Sequence, residues 1–350
     1  MDPLAPLPRV TRGLTGTGGI IKESPDDFEV EELPAYDPCG EGEHLYLWIE
    51  KRGVSADALI RRVARALEIP SKEIGCAGLK DRRAVTRQHL SVPASAEAQV
   101  AAIDGEGVRV LRAMRHRNKL KTGHLDGNRF RAVIRGGDEG ASARAAAIVE
   151  RLRQTGVPNF YGSQRFGRDG DTVAMGIDLL HGRRSPALSR APRGRRRFLK
   201  RLALSSVQSA VFNRCLAARM EDGLLDRVIP GDVMQVCASG GLFVADDTER
   251  EQARFDARDI VPAGPMFGPK MHRARGDAAA RESAALSELE LREDLFDGHG
   301  KVMTGTRRAN LVWPGELTVG GTDDVIELCF TLPAGSYATV LLGEVTGCLF

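Results

Sequence analysis

Residues 75–88, Gly-Cys-Ala-Gly-Leu-Lys-Asp-Arg-Arg-Ala-Val-Thr-Arg-Gln, carry one carboxylate, Asp81, among Lys80, Arg82, Arg83 and Arg87. Opposite charges nearby favour the ionised form of a carboxylate. An ionised carboxylate on a rigid loop is equipped to act as a nucleophile or a base. Gly75 and Gly78 lie just before it, and glycine permits close approach of another backbone. After it, Val85, Arg87, His89 and Ser91 alternate with Thr86, Gln88, Leu90 and Val92, the period of a strand. Asp81 is therefore expected on a glycine-preceded loop where a strand begins. Residue types alone favour an ordinary turn aspartate with solvated basic neighbours, since short motifs often match by chance.

The segments that must position this loop are readable on both sides of it. Residues 19–33 suggest two short strands around the turn Ser24-Pro25-Asp26-Asp27, with Phe28 and Val30 on one face. Residues 43–51 alternate Leu45, Leu47 and Ile49 with Tyr46 and Trp48, which predicts a strand. Ser55 is a suitable N-cap for a helix bearing Leu59, Ile60, Val63 and Leu67, ended before Pro70, and that helix leads into the Asp81 loop. Val108, Val110 and Ala113 predict another strand. In residues 125–135, Phe130, Ala132 and Ile134 share one face and Arg129, Arg131 and Arg135 the other. Residues 141–154 read as an alanine-rich helix capped by Gly156. Further on, a helix is expected through Ser205, Gln208, Val211, Phe212 and Leu216, then strands at 232–237 and 241–245. A charged helix at 279–295 and strands at 308–313 and 325–332 follow.

A chain of 350 residues can bury a large core and hold two domains. With 28% charged and 42% hydrophobic residues, its composition is that of a globular protein. No apolar run reaches the length of a membrane span, and the first residues lack the pattern of a signal peptide, so a cytoplasmic location is expected. Six scattered cysteines form no Cys-x-x-Cys pair and no zinc spacing, and read as small buried residues without a structural metal. The net charge is only +3, but two runs are strongly basic. Residues 112–121 contain Arg112, Arg115, Arg117, Lys119 and Lys121. Residues 183–201 contain eight more basic groups beyond Arg183 and no acid. Runs of this kind match a phosphate backbone, although solvated basic loops are common.

Five blocks, in order, give the sequence a resemblance to the TruD family of tRNA pseudouridine synthases. They are Lys22 to Val30, Ala77 to Gln88, Gly127 to Phe130, residues 157–167 (Val-Pro-Asn-Phe-Tyr-Gly-Ser-Gln-Arg-Phe-Gly) and residues 332–339 (Leu-Pro-Ala-Gly-Ser-Tyr-Ala-Thr). The resemblance implies that Asp81 is the catalytic residue. It implies substrate contacts for Lys22, Phe28, Lys80, Asn128, Phe130 and Tyr337, with Asn128 reading a uracil edge and the aromatic rings walling the pocket. Two departures stand out. The family's Tyr-Phe order is reversed at Phe160-Tyr161, and Gly343 precedes Glu344 where the family has arginine.

The fold so implied is α/β (α+β), the pseudouridine synthase fold on a mixed, largely antiparallel central sheet. Residues 1–155 with 305–350 would form the catalytic domain, and residues 156–304 an inserted TruD-specific lobe. The activity implied is isomerisation of a uridine in tRNA, usually uridine 13, to pseudouridine. Breaking N1–C1′ and forming C5–C1′ is redox-neutral and adds no group, so no cofactor and no metal is expected. The carboxylate would attack C1′ or C6, or take a proton from C2′, and the sequence does not choose among these. The expected partner is tRNA, with no membrane or protein partner and a monomeric state. The runner-up reading is a non-catalytic tRNA-binding protein or RNA chaperone. An aspartate-dependent nucleoside glycosidase acting on small molecules would not need the second basic run.

Overall fold

The computed structural model describes residues 6–348. Its main sheet runs in the order Gly315–Gly321, Val325–Pro333, Leu125–Gly137, Phe28–Pro34, Val85–Pro93, His44–Arg52, Val108–His116. Gly18–Ile21 pairs with Leu125–Gly137, and Gly75–Cys76 with Val85–Pro93. Phe28–Pro34 beside Val85–Pro93 is the parallel pair, and the other pairings in this sheet are antiparallel. This is the mixed, largely antiparallel sheet that the resemblance implied.

The alternation of residues decides which face is covered. Phe28, Val30, Phe130, Ala132, Ile134, Leu328 and Phe330 are buried beneath helices Ala141–Thr155 and Ala338–Thr346. Phe130 stacks on Phe330 at 5.2 Å between centroids and tilts against Phe28 at 5.9 Å. Such ring pairs add about 0.5–1.5 kcal/mol beyond the area they bury. The other face carries charge. Arg131 pairs with Glu29 and Glu327, and Arg87 with Glu29, Glu31 and Glu50, so the basic outer face read from the sequence is neutralised by cross-strand acids. Leu45, Leu47 and Ile49 form a second core with Leu59 and Val63 of helix Ala56–Ala66, whose N-cap Ser55 accepts from the Ala58 amide.

A second, four-stranded sheet follows the order Leu242–Val244, Val233–Val236, Ile260–Met266, Thr306–Ala309. Helix Arg193–Glu221 packs on it, and with 29 residues it is about 43 Å long at 1.5 Å per residue. Several expectations need correction here. That helix begins inside the basic run and not after it, because Pro192 opens it and arginine, leucine and lysine are good helix formers. The charged helix is shorter, Gly276–Glu288. The strand expected at 308–313 is broken at Asn310 into Thr306–Ala309 and Leu311–Val312, which pair with different partners. Strand Ile260–Met266 is absent from the sequence reading, since Pro262 and Pro265 argue against an inner strand. The cysteines are free but not buried: Cys39, Cys237 and Cys348 are exposed and Cys76, Cys215 and Cys329 half-buried. No helix among the described residues is long and apolar enough to cross a membrane.

Candidate active site

The Asp81 loop spans the gap between Gly75–Cys76 and Val85–Pro93 and is tied at both ends. Gly75 must be glycine, because a Cβ there would lie 2.3 Å from the Leu120 carbonyl oxygen. The Ala77 carbonyl accepts from the Gly123 amide at 2.8 Å, and the Ala84 carbonyl from the Gly53 amide at 3.3 Å. Ala84 itself is fully buried. Between these anchors the loop leaves the Asp81 side chain 44% accessible, enough for a substrate to reach it.

Lys22 meets that carboxylate from the neighbouring segment, Nζ to Oδ2 at 2.7 Å. Its backbone sits at φ 57°, a left-handed conformation that costs a non-glycine residue about 1–3 kcal/mol and is typical of functional sites. The same ammonium lies 4.0 Å from the centroid of the Phe28 ring. Lys22 therefore touches both the Asp81 carboxylate and the Phe28 ring.

Strand register supplies the rest. Asn128 stands opposite Glu32 on one side and Leu332 on the other, and Phe130 stands between Val30 and Phe330. Lys80 reaches down from the loop into this row. Its ammonium lies 3.2 Å from Glu32 Oε2 and donates to Asn128 Oδ1 at 2.5 Å. Burial pushes the Glu32 carboxyl up, with Lys80 opposing. A lysine can only donate, so this bond fixes the Asn128 amide with its oxygen on Lys80 and its NH2 free to donate. Lys80 is thus committed to Glu32 and Asn128.

Tyr337 closes the cleft from the end of Val325–Pro333. Its ring stands edge-on to Tyr161 at 5.7 Å, and the guanidinium of Arg308 lies 4.1 Å over Tyr161. Arg308 donates to the Asn159 carbonyl, to Asn159 Oδ1 and to the Gly335 carbonyl, tying the second sheet to the turn that presents Tyr337. The reversed pair is explained by packing: Phe160 is buried, and the Tyr161 hydroxyl points to Met266 Sδ at 3.7 Å.

Lys22, Phe28, Lys80, Asp81, Asn128, Phe130 and Tyr337 all line one cleft of about 220 Å³. Larger clefts, about 520 Å³ beside Trp313 and about 480 Å³ beside Arg308, hold none of these seven residues. Gln164, the 71% exposed Leu79, Val30, Ser336, Ala338 and Thr339 also line it. Glu32 and Lys51 are missed by the motif reading, yet the signal is present in the sequence. Glu32 falls in step with Phe28 and Val30, and Lys51 in step with Leu45, Leu47 and Ile49, so both put charge on an apolar face. Glu344 lies outside the cleft; it binds the Thr11 hydroxyl at 2.5 Å and the Val10 amide at 3.0 Å, a clasp for the N-terminal segment.

The fold is mixed α/β, and its aromatic cleft holds a lysine-paired carboxylate. The family model described as tRNA pseudouridine synthase D (TruD) matches residues 9–191 and 186–345. The tRNA pseudouridine synthase D of Anaeromyxobacter dehalogenans strain 2CP-1 is 45% identical over 340 residues, covering 97% of this chain and 96% of its own. That of a Thermus thermophilus strain is 43% identical over 342 residues, covering 97% and 91%. A crystal structure of a Methanosarcina mazei protein described as TruD superposes with a TM-score of 0.75 at 25% identity, covering 95% of this chain and 94% of that one. The chain belongs to the TruD family of tRNA pseudouridine synthases, isomerases of tRNA processing.

Proposed function

We propose that this protein isomerises a uridine of tRNA, at position 13, to pseudouridine, with Asp81 as the catalytic carboxylate. The observation that carries the reading is the convergence of the Lys22–Asp81 pair, the oriented Asn128 amide and the rings of Phe28, Phe130 and Tyr337 on one cleft. In the reaction N1–C1′ breaks and C5–C1′ forms, while a proton leaves C5 and one is gained at N1, so nothing is oxidised and no group is added. A detached uracil must turn in place without escaping. Flat apolar walls allow a ring to turn, and a fixed NH2 donor holds a carbonyl edge that would otherwise be costly to bury. Lys22 holds the carboxylate at the lining of this cleft.

The second basic run supports RNA as the substrate class. Arg193, Arg195, Arg197, Lys200 and Arg201 are exposed along the first turns of the long helix, and none has a carboxylate partner among the described residues. Arg196 instead donates to the Ala191 and Ser189 carbonyls. We assign residues 156–304 as an inserted lobe, its sheet completed by strand Thr306–Ala309, whose basic helix meets the RNA backbone while residues 1–155 and the rest of 305–350 perform the chemistry. The first basic run is different: Arg115 pairs with Glu97, Arg117 with Glu41, and Lys119 donates to the Lys72 carbonyl.

The test is mass-shift mapping of pseudouridine in tRNA from cells with and without this gene. A pseudouridine at position 13 that vanishes with the gene supports the reading. An unchanged tRNA pseudouridine map overturns it.

A further inference from the structure

Lys51 is among the largest fully buried side chains of the described residues, at 0% exposure, and it does not line the Asp81 cleft. It ends the apolar face of strand His44–Arg52, next to the core of Leu45, Leu47 and Ile49. Its ammonium donates to the main-chain carbonyl of Asp81 at 2.6 Å and to that of Val54 at 2.9 Å. Among the described residues it has no ion-pair partner. Burial pushes the ammonium down to about 8, with the Asp81 carboxylate drawing it back up and Lys80 adding to the fall. A desolvated cation bonded only to carbonyls is a poor way to stabilise a fold, because desolvation is offset only in part.

We propose that Lys51 is a positioning residue for Asp81: its buried ammonium straps the loop's main chain at the Asp81 carbonyl to the strand beneath, and it is retained for the reaction and not for stability. The inference rests on the reading of Asp81 as the catalytic carboxylate. Two cations then hold Asp81, Lys22 at the carboxylate and Lys51 at the carbonyl. A nucleophile or base must be held to a fraction of an ångström, and a strap at its own peptide group removes the loop motion that a side-chain contact cannot.

The experiment compares wild type, Lys51→Met and Asp81→Asn by single-turnover pseudouridine formation on a tRNA transcript, by Kd for the same transcript and by Tm. For Lys51→Met the expected result is a Tm equal to or above wild type, since an apolar replacement removes an unpaired buried charge. Its Kd stays within a few-fold, and its rate falls about tenfold or more, the scale of a misplaced reacting group. The sign with pH follows from the lowered value. Between about 8 and the ordinary 10.5 the folded state holds fewer protons than the unfolded one, so wild type gains stability across that window and the Tm advantage of Lys51→Met narrows.

A Lys51→Met rate within twofold of wild type overturns the proposal, and so does a lowered Tm with an intact rate per folded molecule. If Lys51→Met does not fold, Lys51→Gln, which keeps an N–H donor without charge, is read by the same split. Loss of the wild-type reaction itself, or an active Asp81→Asn, would instead refute the functional reading and is distinguishable from either result.

Discussion

Two sets of buried cationic side chains in this protein have different kinds of partner. Arg219, near the end of the long helix, forms a bidentate pair with Asp232, at 2.8 and 2.6 Å, and donates to the carbonyls of Leu224 and Arg227. Asp232 in turn accepts from the Ile229 amide. The network is closed: charge is matched by charge and the remaining groups find main-chain partners. Lys51 and Lys80, beneath the Asp81 loop, form an open network. Among the described residues Lys51 has carbonyls only, Lys80 has Glu32 and the Asn128 oxygen, the Asn128 NH2 has no partner, and Asp81 shares one oxygen with Lys22 while its side chain stays accessible. A fully satisfied polar network rigidifies a fold, whereas an open one leaves hydrogen-bonding groups without a partner.

The largest expected effect breaks the closed network. Arg219→Met leaves Asp232 buried and unpaired, and should cost about 3–5 kcal/mol of stability by denaturant unfolding. The rate per folded molecule should be unchanged; a rate loss without a stability loss would contradict the assignment of this pair to structure. Next, Lys22→Met cuts the open network at its exposed side. Pseudouridine formation should slow on the order of 100-fold while Tm and tRNA affinity barely move, since only the aim of a reacting group is lost. Asn128→Ala should cost roughly tenfold in rate, the scale of one removed hydrogen bond to the reacting ring, with tRNA Kd within a few-fold. Measuring rate and Kd on the same transcript separates these outcomes.

The smallest effect compares the two basic runs. Replacing Arg193, Arg195 and Arg197 with alanine should flatten the log-log salt dependence of tRNA binding by up to about one unit per lost phosphate contact. Replacing Arg115 and Arg117, whose guanidiniums already face Glu97 and Glu41, should leave that slope nearly unchanged. Equal slopes for the two variants would mean that ion pairing within the protein does not decide which basic run meets RNA.

The same contrasts separate what is legible in the sequence from what is not. Asp81 and the strands around it are legible because contiguous residues define them: alternation gives the face, glycine gives the loop, and the block motifs give the family. Phe28, Asn128 and Phe130 share a cleft with Asp81 because register brings them together, which residue types alone do not encode. The two basic runs look alike in sequence because partners such as Glu97 and Glu41 lie 18 and 76 positions away. Arg308 reads as part of a strand, and its role in bracing Tyr161 near Tyr337 depends on Asn159 and Gly335, which come close only in the fold. Lys51 and Glu32 lie in plain view on apolar faces, where a charge is itself the signal.

The most direct test of the role of Asp81 is pseudouridine formation on a tRNA transcript by purified wild-type protein and by Asp81→Asn, with tRNA Kd measured on both. Asp81→Asn keeps the shape of the side chain and removes its charge. The expected result is product from the wild type, none detectable from the variant, and affinities that agree within a few-fold. Substantial turnover by the variant, with its tRNA binding intact, would contradict the claim that the chemistry belongs to Asp81.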